Sequence, residues 1–223
     1  MSIEIAFNLF GKNIIIPDTI VNVWIVSIIL IIIALVVNKK IKNADVNKQP
    51  TGFLNLIEVL VESVEGLVES TMGKENMFFT PYILTLILFL LFSNLFGLLS
   101  FTPPTSDYSV TLTLALMTFF LTQYFNFKTS GFLGYFKSYT EPLPLLTPIN
   151  ILGEIANPIS LSFRLFGNIL SGVIIMGLVY AALGWFAPLV APILHAYFDI
   201  FSGALQTFIF SMLTMIFISG AME

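Results

Sequence analysis

The sequence has no cysteine, a single histidine, two tryptophans and few charges of either sign. Without cysteine, disulfides, thiolate metal sites and cysteine nucleophiles are excluded, and no redox compartment is implied. Charged residues make up 10% of the chain, against roughly 25% for a soluble domain, whose surface must be wetted. The nine basic residues form no patch with interleaved aromatics, which excludes a nucleic-acid partner. No Gly-rich phosphate loop with a Lys-Ser/Thr pair is present, so the chain is not expected to be an enzyme acting on nucleotides by itself. No internal repeat of the inverted-repeat transporter kind is found. The start lacks a basic n-region and no small-residue cleavage pattern follows the first apolar run, which is therefore expected to be a retained span.

What is present is apolar. Hydrophobic residues account for 57% of 223 residues, and the mean hydropathy is +0.95. The expected fold is an all-α integral membrane protein, a single membrane domain over 1–223 with about five transmembrane helices and one amphipathic interfacial helix. Spans are expected at about 20–37, 79–99, 110–125, 149–183 and 189–220. The first ends at Asn38-Lys39-Lys40-Ile41-Lys42, and Phe101-Thr-Pro-Pro-Thr-Ser-Asp107 reads as a turn, since paired prolines cannot continue a helix. A polar loop is expected at 43–52, with Pro50 and Gly52, and an interfacial connector at 126–148, with Lys128, Lys137 and Glu141.

Residues 53–72 follow a different rule. Glu58, Glu62, Glu65 and Glu69 step by 4, 3 and 4, so they line one face of a helix. This is the amphipathic helix, with a solvated acidic face. The last two spans each exceed 30 residues, or about 45 Å of helix, half again the thickness of the hydrocarbon core. Both are expected to tilt strongly.

Lysine placement sets the orientation. With the N-terminus outside and five spans, Lys39, Lys40, Lys42, Lys48, Lys74, Lys128 and Lys137 fall on the cytoplasmic side and Lys12 alone falls outside. The expected arrangement is N-out and C-in, which puts the seven lysines on the favoured side.

The remaining basic residue, Arg164, lies near the midpoint of the fourth span. A charge at the bilayer centre costs roughly 2.5–3.5 kcal/mol on insertion scales, so a guanidinium there is expected to face a polar cavity or a partner, or to tie helices together. Asn157, Ser160, Arg164, Asn168 and Ser171 form one polar stripe, with Gly153, Gly167 and Gly172 beside it. Ser160 and Ser171 serve equally well as helix–helix contacts. The fifth span carries His195, Asp199, Ser202 and Gln206 at spacings of 4, 3 and 4. A carboxylate one turn from a histidine suits proton relay or cation coordination. Glu154 lies ten residues before Arg164, about 15 Å toward the cytoplasm, while His195 and Asp199 fall in the outer half. Acidic groups thus stand on opposite sides of a central cation, as two offset half-channels divided by a positive barrier require.

The run from Ile149 to Leu170, with the core PISLSFRLFGN, resembles the a subunit of F-type ATP synthases, and GALQTFIF from Gly203 to Phe210 resembles that family's last helix. The similarity extends over essentially the whole chain. It implies an ion-conducting stator subunit beside a ring of c subunits, with peripheral-stalk b subunits and the rest of the synthase as further partners, in a bacterial-type inner membrane and without a cofactor or metal. It also implies that Arg164 is the stator arginine, Gln206 and Asn168 its neighbours, Glu154 the carboxylate of the cytoplasmic path and Asp199 that of the external path. Many members carry an acid nine positions after the arginine, where this chain has Val173, and a histidine where it has Asp199. An exchange of acid between neighbouring helices keeps a carboxylate in the external path. H⁺ and Na⁺ both remain open as the coupling ion. The rival readings are a self-contained channel or secondary transporter using Arg164 as counter-charge, and a structural scaffold.

Overall fold

The computed structural model describes residues 5–9, 12–44, 52–99, 101–140 and 143–222. Most of the loop expected at 43–52, including Lys48 and Pro50, lies outside the described residues, as does Glu141 of the connector. The chain opens with a two-stranded antiparallel hairpin, β1 (Ile5–Leu9) paired with β2 (Lys12–Ile16). Everything else with regular structure is helical, in agreement with the all-α reading. The helices are α1 (Asp18–Lys42), α2 (Phe53–Met72), α3 (Thr80–Leu95), α4 (Tyr108–Thr140), α5 (Thr147–Leu183), α6 (Ala187–His195) and α7 (Gly203–Gly220).

Four helical stretches are long and apolar enough to cross a membrane: Asp18–Lys42, Lys74–Leu99, Tyr108–Lys137 and Pro144–Gly220. The fourth reverses at a 3₁₀ turn, Gly184–Phe186, where Gly184 takes φ 48°. α5 then packs against α6 and α7, so the stretch contributes two rods and the chain has five. The protein is a multi-pass membrane protein.

Local chemistry explains where the rods begin and end. α1 starts after Pro17, whose backbone is extended, and carries Asp18 in its first turn and Lys39, Lys40 and Lys42 in its last. Both placements favour the helix dipole. α2 covers the residues expected of the amphipathic helix. Val64, Val68 and Met72, spaced by four, are buried against Phe79, Ile83, Met215 and Ile218, while the four glutamates are exposed. A second cluster joins α3, α4, α5 and α7 through Leu86, Leu90, Ala115, Leu161, Leu165, Ile169 and Phe210.

Polar side chains add cross-links that have no water to compete with them in a bilayer. Asn94 on α3 donates to the Gly203 carbonyl oxygen at 3.0 Å and to Thr207 Oγ1 at 3.0 Å, and accepts from Thr105 Oγ1 at 2.7 Å. Thr118 on α4 meets Thr214 on α7 at 3.0 Å. The start of α1 is tied to the α3–α4 loop. Asn22 donates to the Thr102 carbonyl oxygen at 2.8 Å, Thr102 to Asp18 at 2.7 Å, and Thr19 to Asp107 at 2.8 Å.

The connector expected at 126–148 needs correction. Its first half is helical, because α4 continues to Thr140, interrupted at Gly131 with φ 67° and ψ 176°. That region of backbone space is open essentially to glycine alone. The hydroxyls of Tyr135 and Tyr139 reach Gln123, whereas a straight helix would carry them about 18 and 24 Å away along its axis. The chain therefore doubles back at Gly131 and lays the aromatic segment beside the end of the third span.

Candidate functional site

α5 has an inner face and an outer face. Pro158, Leu161, Ser162, Leu165, Ile169, Gly172 and Met176 are buried, and that row of apolar residues turns the polar stripe outward. Asn157, Ser160, Arg164, Asn168 and Ser171 are all exposed on the chain's surface. Arg164 makes no hydrogen bond or ion pair among the described residues, so its guanidinium does not tie the helices of this chain together. Ser160 likewise has no partner among them, and the Ser171 hydroxyl donates to the Gly167 carbonyl oxygen of its own helix at 2.6 Å.

Asn168 is the member of the stripe that reaches another helix. Its Nδ2 donates to Gln206 Oε1 on α7 at 2.7 Å. Gln206 is 2% exposed, and its Nε2 is buried with no partner among the described residues. An unpaired buried amide costs about 1–3 kcal/mol, so this one marks a place where packing alone does not dictate the residue.

Two cavities flank this level. The inner one, about 240 Å³, is lined by Thr118, Thr122, Asn126, Glu154, Asn157 and Leu161, and by the end of α7 from Ile216 to Ala221. Glu154 is half-buried, and its Oε2 accepts from Gln123 Nε2 at 2.9 Å. Pro158 has no N–H to give to the carbonyl of Glu154 four residues earlier, so the helix ladder is opened beside the carboxylate. Asn157 lines the cavity and makes no side-chain hydrogen bond among the described residues.

The outer cavity, about 320 Å³, is lined by Gly97, Thr102, Val173, Met176, Tyr180, His195 and Asp199, with Phe101, Pro103 and Gly177 completing it. His195 and Asp199 are joined, Nδ1 to Oδ2, at 2.5 Å. Tyr180 Oη lies 2.9 Å from His195 Nε2. With the ring N–H donating to the carboxylate, the free nitrogen of a neutral imidazole accepts from the phenol. Phenol, imidazole and carboxylate then form one hydrogen-bonded chain. Asp199 sits within a π-helical segment, Ala196–Ser202, a local widening that often marks functional positions in helices. Gly97 leaves room for it: a Cβ there would lie 3.2 Å from the carboxylate. Ser202, at the end of the same segment, is half-buried and has no side-chain partner among the described residues.

The structure thus brings together His195 with Asp199, and Asn168 with Gln206. It does not join Arg164 to either acid. Val173, the position with no acid, opens into the same cavity as Asp199. Sequence reading overlooked Gln123, Tyr135, Tyr139 and Tyr180. The signal for Gln123 was an amide in an apolar span beside Thr122. The tyrosines gave none, because aromatic residues are ordinary near a membrane boundary.

The sequence profile of the ATP synthase A chain matches residues 20–219. The protein of Propionigenium modestum called ATP synthase subunit a, sodium ion specific, is 37% identical over 99% of this chain and 78% of its own length. ATP synthase subunit a of Staphylococcus carnosus is 37% identical over 96% of this chain and 94% of its own. The subunit of the same name from Geobacter sulfurreducens is 35% identical over 92% and 88%. With a match that spans the helices, the stripe and both cavities, this chain belongs to the ATP synthase A chain family.

Proposed function

We propose that this chain is the ion-conducting stator subunit of a rotary ATP synthase, with two half-channels separated by Arg164. One observation carries the reading. On α5 the inner cavity reaches Leu161 and the outer cavity begins at Val173. The helix between them spans about 18 Å, and Arg164 stands in it, exposed and unpartnered. On the returning arm the cavities are likewise split, His195 and Asp199 on one side and Ile216 to Ala221 on the other, with Gln206 between. A single pore would leave no such gap.

The electrostatics follow. An arginine does not deprotonate in proteins, so it is a permanent barrier to cations crossing directly from one cavity to the other. An exposed guanidinium against lipid is costly, which supports a polar partner on that face, namely the membrane-buried carboxylates of a c-subunit ring. Unit charges 4 Å apart attract by about 4 kcal/mol at an effective dielectric near 20. That is enough to favour an ionised rotor carboxylate and release its ion, and small enough to be broken as the ring turns. The membrane potential supplies about 2.3 kcal/mol per charge per 100 mV.

In this mechanism Asp199 and His195 lie on the external path, with Ser202 at its deep end, and Glu154 and Asn157 on the cytoplasmic path. Asn168 and Gln206 hold the two helices in register beside Arg164. The termini lie N-out and C-in, following the lysines. The ion is H⁺ or Na⁺, chosen mainly by the ring. The chain itself catalyses nothing; ATP chemistry belongs to partner subunits, and peripheral-stalk b subunits anchor it. All 223 residues act as one membrane domain.

The test is reconstitution. The chain alone in liposomes is expected to conduct no coupled ion current, and the assembled complex to synthesise ATP from an imposed ion gradient. Selective, substrate-dependent transport by the isolated chain would replace this reading with that of a self-contained transporter.

A further inference from the structure

We infer that Gln123 is a positioning residue for Glu154, set by the hydroxyls of Tyr135 and Tyr139, and that the three together fix the carboxylate where the inner cavities meet. The inference rests on the reading of Glu154 as the inner carboxylate and goes beyond it by naming what holds that group.

Glu154 lines three cavities: the inner one described above, one bounded by Gln123, Tyr135 and Tyr139, and one bounded by Asn126, Asn150 and Asn157. A glutamate side chain has three torsions and is only half-buried here, so apolar packing does not choose its direction. The hydrogen bonds do. Tyr135 Oη donates to Gln123 Oε1 at 2.8 Å, and Tyr139 Oη approaches the same oxygen at 3.2 Å and Tyr135 Oη at 3.1 Å. With its carbonyl occupied by donors, the amide has only its NH₂ left to offer Glu154. An ionised carboxylate accepts and cannot donate, so the pairing is complementary in one orientation only. It occupies Oε2 at 2.9 Å and leaves Oε1 for the ion path.

The phenols arrive by the reversal at Gly131. They are kept in place by Asn150 near the start of α5, whose Nδ2 donates to the Tyr139 carbonyl oxygen at 2.9 Å. The set therefore couples three pieces of chain: the end of the third span, its folded-back extension and the first turns of α5.

The experiment uses the assembled synthase in liposomes, with gradient-driven ATP synthesis read against internal and external pH and assembly checked by subunit content. Gln123→Leu is expected to slow synthesis about tenfold, as loss of a hydrogen bond to a charged group implies, and to change its dependence on cytoplasmic-side pH but not on external pH. Tyr135→Phe and Tyr139→Phe are each expected to fall less than about twofold, since one phenol still holds the amide, and the double variant to match Gln123→Leu. In a Glu154→Gln background, Gln123→Leu should add nothing. An equal further loss there would show that Gln123 acts independently of Glu154 and would overturn the inference. So would an unchanged rate in Gln123→Leu where Glu154→Gln is impaired. A wild-type rate in Glu154→Gln would instead remove the inner path itself. If Gln123→Leu does not assemble, the double tyrosine variant decides between the same outcomes.

Discussion

Asn168 on α5 and Gln206 on α7 face each other at the level that separates the two cavities, amide nitrogen to carbonyl oxygen at 2.7 Å. The bond uses one end of Gln206 and leaves its buried Nε2 unpaired. Asn168→Ala strips the remaining partner from a side chain that is 2% exposed. The expected loss is about 1–3 kcal/mol of stability, together with slower ion flux. Thermal unfolding of the detergent-solubilised complex and gradient-driven synthesis measure the two effects. Unchanged values in both would mean that the pair is incidental.

Arg164→Ala is expected to abolish ion-driven ATP synthesis while the complex still assembles. No bond within the chain is lost, since the guanidinium makes none among the described residues, so folding should be spared. Removing the fixed positive charge also removes the barrier between the cavities, and passive ion leak should persist in vesicles stripped of the catalytic sector. Normal synthesis by the variant would eliminate the mechanism.

Asp199→Asn should slow ion uptake from the external side more than it harms assembly. Because Val173 opens into the same cavity, adding Val173→Glu to that variant is expected to restore part of the rate. The measurement is synthesis driven by an imposed gradient as a function of external ion concentration. Wild-type flux in Asp199→Asn would take that residue out of the path.

Gly97→Ala places a methyl group 3.2 Å from the Asp199 carboxylate. Either the acid shifts away from His195 or the backbone gives, at about 1–3 kcal/mol for overpacking. Synthesis should fall and Gly97→Val should fall further, while Gly177→Ala is expected to be close to silent because a Cβ at Gly177 meets nothing within 4 Å. Equal rates in all three would show that the outer cavity tolerates crowding around Asp199.

Much of this was legible from the chain because it is local. Hydropathy placed the rods, and the spacing of Glu58, Glu62, Glu65 and Glu69 fixed α2 over Phe53–Met72. The stripe through Arg164 follows from one helical period. What periodicity does not carry is anything that depends on a single torsion or on a distant partner. The hairpin of Ile5–Leu9 with Lys12–Ile16 was read only as a mixed segment. The widened turn around Asp199 escapes a scheme that counts 3.6 residues per turn. The bond between Gln123 and Glu154 joins residues 31 apart in sequence, and nothing near either one announces the other.

Gly131 touches nothing with the space its missing side chain leaves: a Cβ there would find no atom within 4 Å. Its whole contribution is torsional, a single left-handed joint that decides whether fifteen ångströms of aromatic helix lean back on the protein or run off into the aqueous boundary, a reach set by about ten residues of helical rise. Damage at that joint would therefore surface as a conduction phenotype in a protein whose interior is perfectly packed, and a search for lost contacts would miss its origin.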